Sequence, residues 1–159
     1  MPSILIVCTA NICRSPMAEA ILKRLVAERP DADQWRIESA GTWAMYGAPA
    51  AELSQQVMRE IGLDISHHQS KPITEALLKQ FDLILTMEEN QKEALTIEFE
   101  AYTDRIFLLS EMVGLVESIA DPIGGSLADY QETARIIRKI LVMGLKRITE
   151  LAKQQALEK

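Results

Sequence analysis

Cysteine is scarce in this chain of 159 residues: Cys8 and Cys13 are the two it has. Two thiols cannot make a disulfide framework, and a structural zinc site needs four ligands. Histidine is as rare, with His67 and His68 side by side. Adjacent side chains diverge and no third ligand is obvious, so no metal is expected, and no motif asks for a cofactor. Positive charge is in deficit, with 17 Lys and Arg against 23 Asp and Glu and a net charge of −6. That balance argues against nonspecific binding to nucleic acid or to an acidic membrane. No run reaches the ~18 apolar residues of a membrane span. The apolar run at the N-terminus is too short for a signal peptide and has no basic leader. Repeats and low-complexity stretches are missing as well. These absences leave a cytoplasmic protein with one domain over residues 1–159, long enough to bury a core.

What is present is organised around residues 4–20. Ile4-Leu5-Ile6-Val7 is an apolar, β-branched run, as expected of a buried parallel strand. It gives way to small and polar residues, and then Pro16-Met17-Ala18-Glu19-Ala20 opens a helix over 16–28. A loop from Cys8 to Ser15 thus joins the carboxyl end of a strand to the amino end of a helix. An open α/β sheet places its anion sites at such a junction.

The loop's own residues fit an anion. Backbone N–H groups of Thr9, Ala10, Asn11, Ile12 and Cys13 can curl inward as a nest, with the helix N-terminus adding positive potential. Arg14 can clamp two oxygens of a tetrahedral dianion in a bidentate fork. The same field favours a thiolate on Cys8, and Ser15 can donate its hydroxyl to that sulfur. Asn11 is of a type that tolerates positive φ, which a tight loop needs, and Ala10 is expected in an ordinary backbone region. Ile12 offers a bulky apolar surface at the rim, suited to an aromatic ring. The chemistry that follows is attack by sulfur on a phosphoryl group. Cys13 either packs or forms a reversible disulfide with Cys8 under oxidation.

Further strands are expected over 35–39, 81–86 and 105–109. Helices are expected over 50–61, 72–80, 87–95 and 127–159, with a loop over 97–103 and a weakly helical linker over 110–120. The order of elements makes a four-stranded parallel α/β sheet with helices on both faces, a three-layer fold. The glycine-bearing loop after the second strand holds Trp43, Met45 and Tyr46; Trp43 either walls a pocket or folds into the core. Pro122 restricts Asp121 to an extended backbone, which aims its carboxyl off a loop where it can protonate a leaving oxygen. Asp121-Pro122-Ile123-Gly124-Gly125 is equally good turn chemistry.

Cys-x-x-Asn-x-Cys-Arg-Ser-Pro after an N-terminal strand resembles the low-molecular-weight protein tyrosine phosphatases. So do Ser39-Ala40-Gly41-Thr42, Phe81-Asp82-Leu83-Ile84-Leu85-Thr86-Met87 and Asp121-Pro122. The resemblance implies sheet order 2-1-3-4, Cys8 as nucleophile, Arg14 as phosphate clamp and Asp121 as general acid. It implies that His68 supports the phosphate loop and that the loop carrying Trp43 and Tyr46 forms a pocket wall. Ile123 and Gly124 replace the two aromatics of eukaryotic members, which puts Ile123 at the pocket. The expected reaction is hydrolysis of protein phosphotyrosine through a phosphocysteine, releasing inorganic phosphate. Phosphoarginine is the alternative substrate. An arsenate reductase needs a relay of three cysteines, which this chain lacks, and a phosphate-binding module without turnover would have no use for Asp121.

Overall fold

The computed structural model describes residues 1–158. Strand β1 (Ser3–Cys8) has all six residues buried, which its unbroken apolar run requires. It lies at the centre of a parallel sheet with β2 (Arg36–Gly41) on one side, β3 (Leu83–Thr86) on the other and β4 (Ile106–Leu108) beyond β3. The order β2-β1-β3-β4 agrees with the one the resemblance implied. Alternation along β1 divides the core. Ile4, Ile6 and Cys8 face one apolar layer, and Leu5 and Val7 the other. Each fully buried aliphatic side chain contributes about 1.5–3 kcal/mol, so β1 anchors both layers.

Helices α1 (Arg14–Ala27), α2 (Glu52–Glu60) and α5 (Leu127–Leu157) cover the first layer. Tyr130, Ala134, Ile137, Leu141 and Ile148 form the buried stripe of α5, with Leu145 and Leu151 packed at its edge. Helices α3 (Glu75–Lys79) and α4 (Glu89–Glu98) cover the second layer, where Leu78 and Leu95 meet Leu5, Val7 and Ile84.

Several boundaries differ from expectation. Helix α1 begins at Arg14, two residues before Pro16. A first-turn N–H has no intrahelical acceptor, so proline is tolerated there, and Arg14 and Ser15 enter the helix ahead of it. The third helix starts at Glu75 because Thr74 caps it, accepting from Leu77 N at 3.1 Å, while Pro72 bridges to Gly41. The fourth starts at Glu89 and runs to Glu98, past the expected end at 95, and the segment expected as loop closes with a 3-10 turn, Glu100–Arg105, that buries Tyr102. The linker opens with a 3-10 turn, Leu109–Val113, burying Leu109 and Met112 and ending at Gly114 with φ 81°. The end of the last helix expected at residue 159 lies outside the described residues.

Candidate active site

Cys8 ends β1 at the carboxyl edge of the central strand and is 2% exposed. Its Sγ lies 2.9 Å from Ser15 Oγ, in the first turn of α1. Between them, the loop's carbonyls are held from outside. Thr42 N donates to Cys8 O (3.0 Å), Trp43 N to Thr9 O (2.9 Å) and Ala51 N to Ile12 O (2.8 Å). His68 Nε2 lies 2.7 Å from Asn11 O, and Ser54 Oγ donates to Cys13 O at 3.4 Å. Among the described residues no peptide bond is cis. In a trans peptide the N–H opposes the preceding C=O, so the N–H groups of residues 9, 10, 12, 13 and 14 turn to the loop's concave side. That is a nest for an anion.

Asn11 makes the turn possible. Its φ is 59°, the one positive φ outside glycine among the described residues, and Ala10 stays in an ordinary region. The Asn11 amide is fully buried and spends its polar atoms on the scaffold. Nδ2 donates to Ser15 Oγ (2.7 Å) and Ser39 Oγ (2.9 Å), and Oδ1 accepts from Lys71 N (3.0 Å). Ser39 Oγ donates in turn to Glu19 Oε1 at 2.6 Å. Gly41, where β2 ends, leaves no room for a side chain, since a Cβ there would stand 2.4 Å from Thr9 O.

Arg14 is 1% exposed, so its charge must be paired. Nη1 donates to Glu88 Oε1 and to Ile119 O (2.8 Å). Nη2 reaches Thr9 Oγ1 and Asp121 Oδ2, each at 3.4 Å. Nε has no hydrogen-bond partner among the described residues. The guanidinium is therefore anchored on one side and keeps donor capacity on the other, as an anion clamp requires. Asp121 is exposed, with Oδ1 accepting from Ile123 N at 3.1 Å. Ile119 N donates to Met87 O at 2.8 Å, which ties the segment before Asp121 to the end of β3.

The structure thus brings Cys8, Thr9, Asn11, Arg14, Ser15, His68 and Asp121 together. Cys13 turns from the loop into the core, 3.5 Å from Tyr130 Oη, and both cysteines are free thiols. Burial pushes the Cys13 thiol up and pushes the Tyr130 phenol up more strongly. Ile12 is half-buried against the core. Trp43, at 84% exposure, does not fold into the core; Tyr46 and Ile123 are exposed at 76% and 57%. The main chain of Trp43 is fastened to Thr9, and its ring is exposed.

Sequence reasoning missed Glu88 and Gln91. Met87-Glu88-Glu89-Asn90 reads as the start of a helix, which it also is. The available signal was its position just past the carboxyl end of β3, the strand beside Cys8. Ser39 was read only as part of the Ser39-Ala40-Gly41-Thr42 pattern and Glu19 as an ordinary helix residue; they meet where α1 packs on β2.

Comparison with known proteins agrees with this geometry. Residues 3–156 match the family model described as low molecular weight phosphotyrosine protein phosphatase. The chain belongs to that family. It is 39% identical over 136 residues to a low molecular weight protein-tyrosine-phosphatase of Acinetobacter johnsonii, spanning 86% of this chain and 90% of that one. It is 36% identical over 139 residues to the protein-arginine-phosphatase of Bacillus subtilis, spanning 87% and 91%. Among solved structures, the low molecular weight protein tyrosine phosphatase of T. tengcongensis superposes with TM-score 0.84 at 35% identity, covering 92% of this chain and 99% of that one. An arginine phosphatase variant described as having a phosphorylated active site serine superposes with TM-score 0.81 at 34% identity, covering 96% and 94%.

Proposed function

We propose that this chain hydrolyses phosphomonoesters through a phosphocysteine on Cys8, and that its substrate is protein phosphotyrosine. The observation that carries the reading is the half-anchored guanidinium of Arg14 beside a loop whose N–H groups face inward. The Cys8 thiolate attacks phosphorus, forming the S–P bond while the ester P–O bond breaks. Arg14 and the N–H groups of residues 9, 10, 12, 13 and 14 hold the equatorial oxygens as their charge redistributes. Asp121 protonates the departing phenolate. Water then attacks phosphorus and gives a proton to Asp121, and the electron pair of the S–P bond returns to Cys8. Ser15 donates to the sulfur in both steps; Asn11 and His68 hold the loop. Ile12, Trp43, Tyr46 and Ile123 form the rim that meets the aromatic ring. The products are inorganic phosphate and the dephosphorylated protein, in the cytoplasm, with no cofactor.

The half-buried Ile12 and the aromatic rim support phosphotyrosine. A second reading, phosphoarginine, is supported by the relative named a protein-arginine-phosphatase. Phosphate release from matched phosphotyrosine and phosphoarginine peptides, with Cys8→Ser alongside, tests both. We expect turnover on phosphotyrosine that Cys8→Ser abolishes. Faster turnover of phosphoarginine would move the substrate, and no turnover on either would overturn the reading.

A further inference from the structure

Gln91 is 2% exposed in the first turn of α4, a place where a buried amide needs a reason. Its Oε1 accepts from two backbone groups, Met87 N and Glu88 N, each at 3.0 Å. Both fix the amide with oxygen toward the main chain and nitrogen away from it. The Nε2 then donates to Thr9 Oγ1 at 3.0 Å. Thr9 Oγ1 also faces Arg14 Nη2 at 3.4 Å. A hydroxyl has two acceptor positions and one donor. With both acceptor positions facing N–H groups, the remaining function of the Thr9 hydroxyl is to donate.

Its place suggests to what. Nη2 of Arg14 is the group shared between Thr9 Oγ1 and Asp121 Oδ2. The hydroxyl therefore lies on the carboxylate's side of the guanidinium, where the leaving group departs and water arrives. The three non-bridging oxygens of a bound phosphoryl group would face the five N–H groups opposite the outward-held carbonyls, together with the unpartnered Arg14 Nε. They would need no further donor, whereas the Thr9 hydroxyl would give an attacking water a fixed one.

We propose that Gln91 is a positioning residue for cleavage of the phosphocysteine, acting through Thr9, whose hydroxyl orients the water that Asp121 deprotonates. The water oxygen forms the new P–O bond, its proton goes to Asp121, and the S–P electron pair returns to Cys8. Thr9 contributes a hydrogen bond and exchanges no proton. The proposal rests on the phosphatase reading and concerns its second step alone.

The test is rapid-mixing hydrolysis of p-nitrophenyl phosphate by the full chain, comparing the parent with Thr9→Val and Gln91→Glu. Thr9→Val keeps the shape and removes the donor. Gln91→Glu keeps the acceptor for Met87 N and Glu88 N and removes the N–H toward Thr9. In both we expect steady-state turnover to fall about tenfold, the worth of one hydrogen bond at the transition state, while a p-nitrophenolate burst emerges or grows because the first step outruns the second. Burst and steady state falling together, or neither changing, would overturn the proposal. If Gln91→Glu fails to fold, Thr9→Val decides. A parent that releases no p-nitrophenolate would instead overturn the phosphatase reading.

Discussion

The floor and the rim of the site are built on opposite terms. On the floor, Cys8, Asn11, Arg14 and Ser15 are all buried, and most of their polar atoms are bonded to one another or to the scaffold. Of the residues proposed for the rim, Trp43, Tyr46 and Ile123 are exposed large apolar side chains, while Ile12 is half-buried against the core. The floor is preorganised, so phosphoryl transfer has no geometry left to search for. The exposed side chains carry no core packing, so reshaping them for a different protein substrate should leave the chemistry undisturbed. Substitutions on the floor should then cost both turnover and stability, and substitutions at the rim should change binding alone.

Among substitutions that keep the nucleophile, the largest effect expected is from Arg14→Lys. An ammonium cannot reach Glu88, the Ile119 carbonyl and a phosphate together. Turnover on an aryl phosphate should fall about 10²–10³-fold, with a lower thermal midpoint, and retained activity would break the contrast at its centre. Next is Gly41→Ala, whose methyl would stand 2.4 Å from Thr9 O and 2.8 Å from Ala44 Cβ. Urea melts should show a loss of about 1–3 kcal/mol, accompanied by reduced turnover.

A smaller effect comes from Cys13, which burial keeps protonated above its ordinary value of 9.0. Below that pH the folded and unfolded chains both hold the proton and nothing changes. Above it the unfolded chain loses the proton first, so stability should fall as pH rises, by at most about 1.4 kcal/mol per pH unit. Melts of the parent and of Cys13→Ala across alkaline pH would show a shallower slope in the variant; equal slopes would remove Cys13 from the account. The smallest effect is at the rim. Trp43→Ala should leave stability within about 0.5 kcal/mol and raise KM for a phosphotyrosine peptide about 2- to 10-fold. A large loss of stability would show that the rim is not free.

How much of this could be read from the chain alone follows the same division. The floor's reacting groups lie within one short stretch, so strand, loop, Cys8, Arg14 and helix are legible as a linear pattern. Its braces are not. Glu88 pairs with Arg14 across 74 positions and Gln91 with Thr9 across 82. Only the pairing of β1 with β3 brings them together. Asn11 announced its positive φ by residue type, but nothing local announced that Ser39 and Lys71 N would hold its amide. The start of α1 was misplaced because Pro16 is compatible with any position in the first turn. For Trp43, the loop context favoured a pocket wall over the core only narrowly, and it is the packed structure that puts the side chain outside the core.

The most direct test of the account is to quench the chain in alkaline denaturant during turnover of an aryl phosphate and locate the phosphoryl group by mass spectrometry. The account predicts a phosphoryl group on Cys8 in the parent and neither adduct nor turnover in Cys8→Ala. A phosphoryl group on any other residue, or turnover that survives Cys8→Ala, would contradict it.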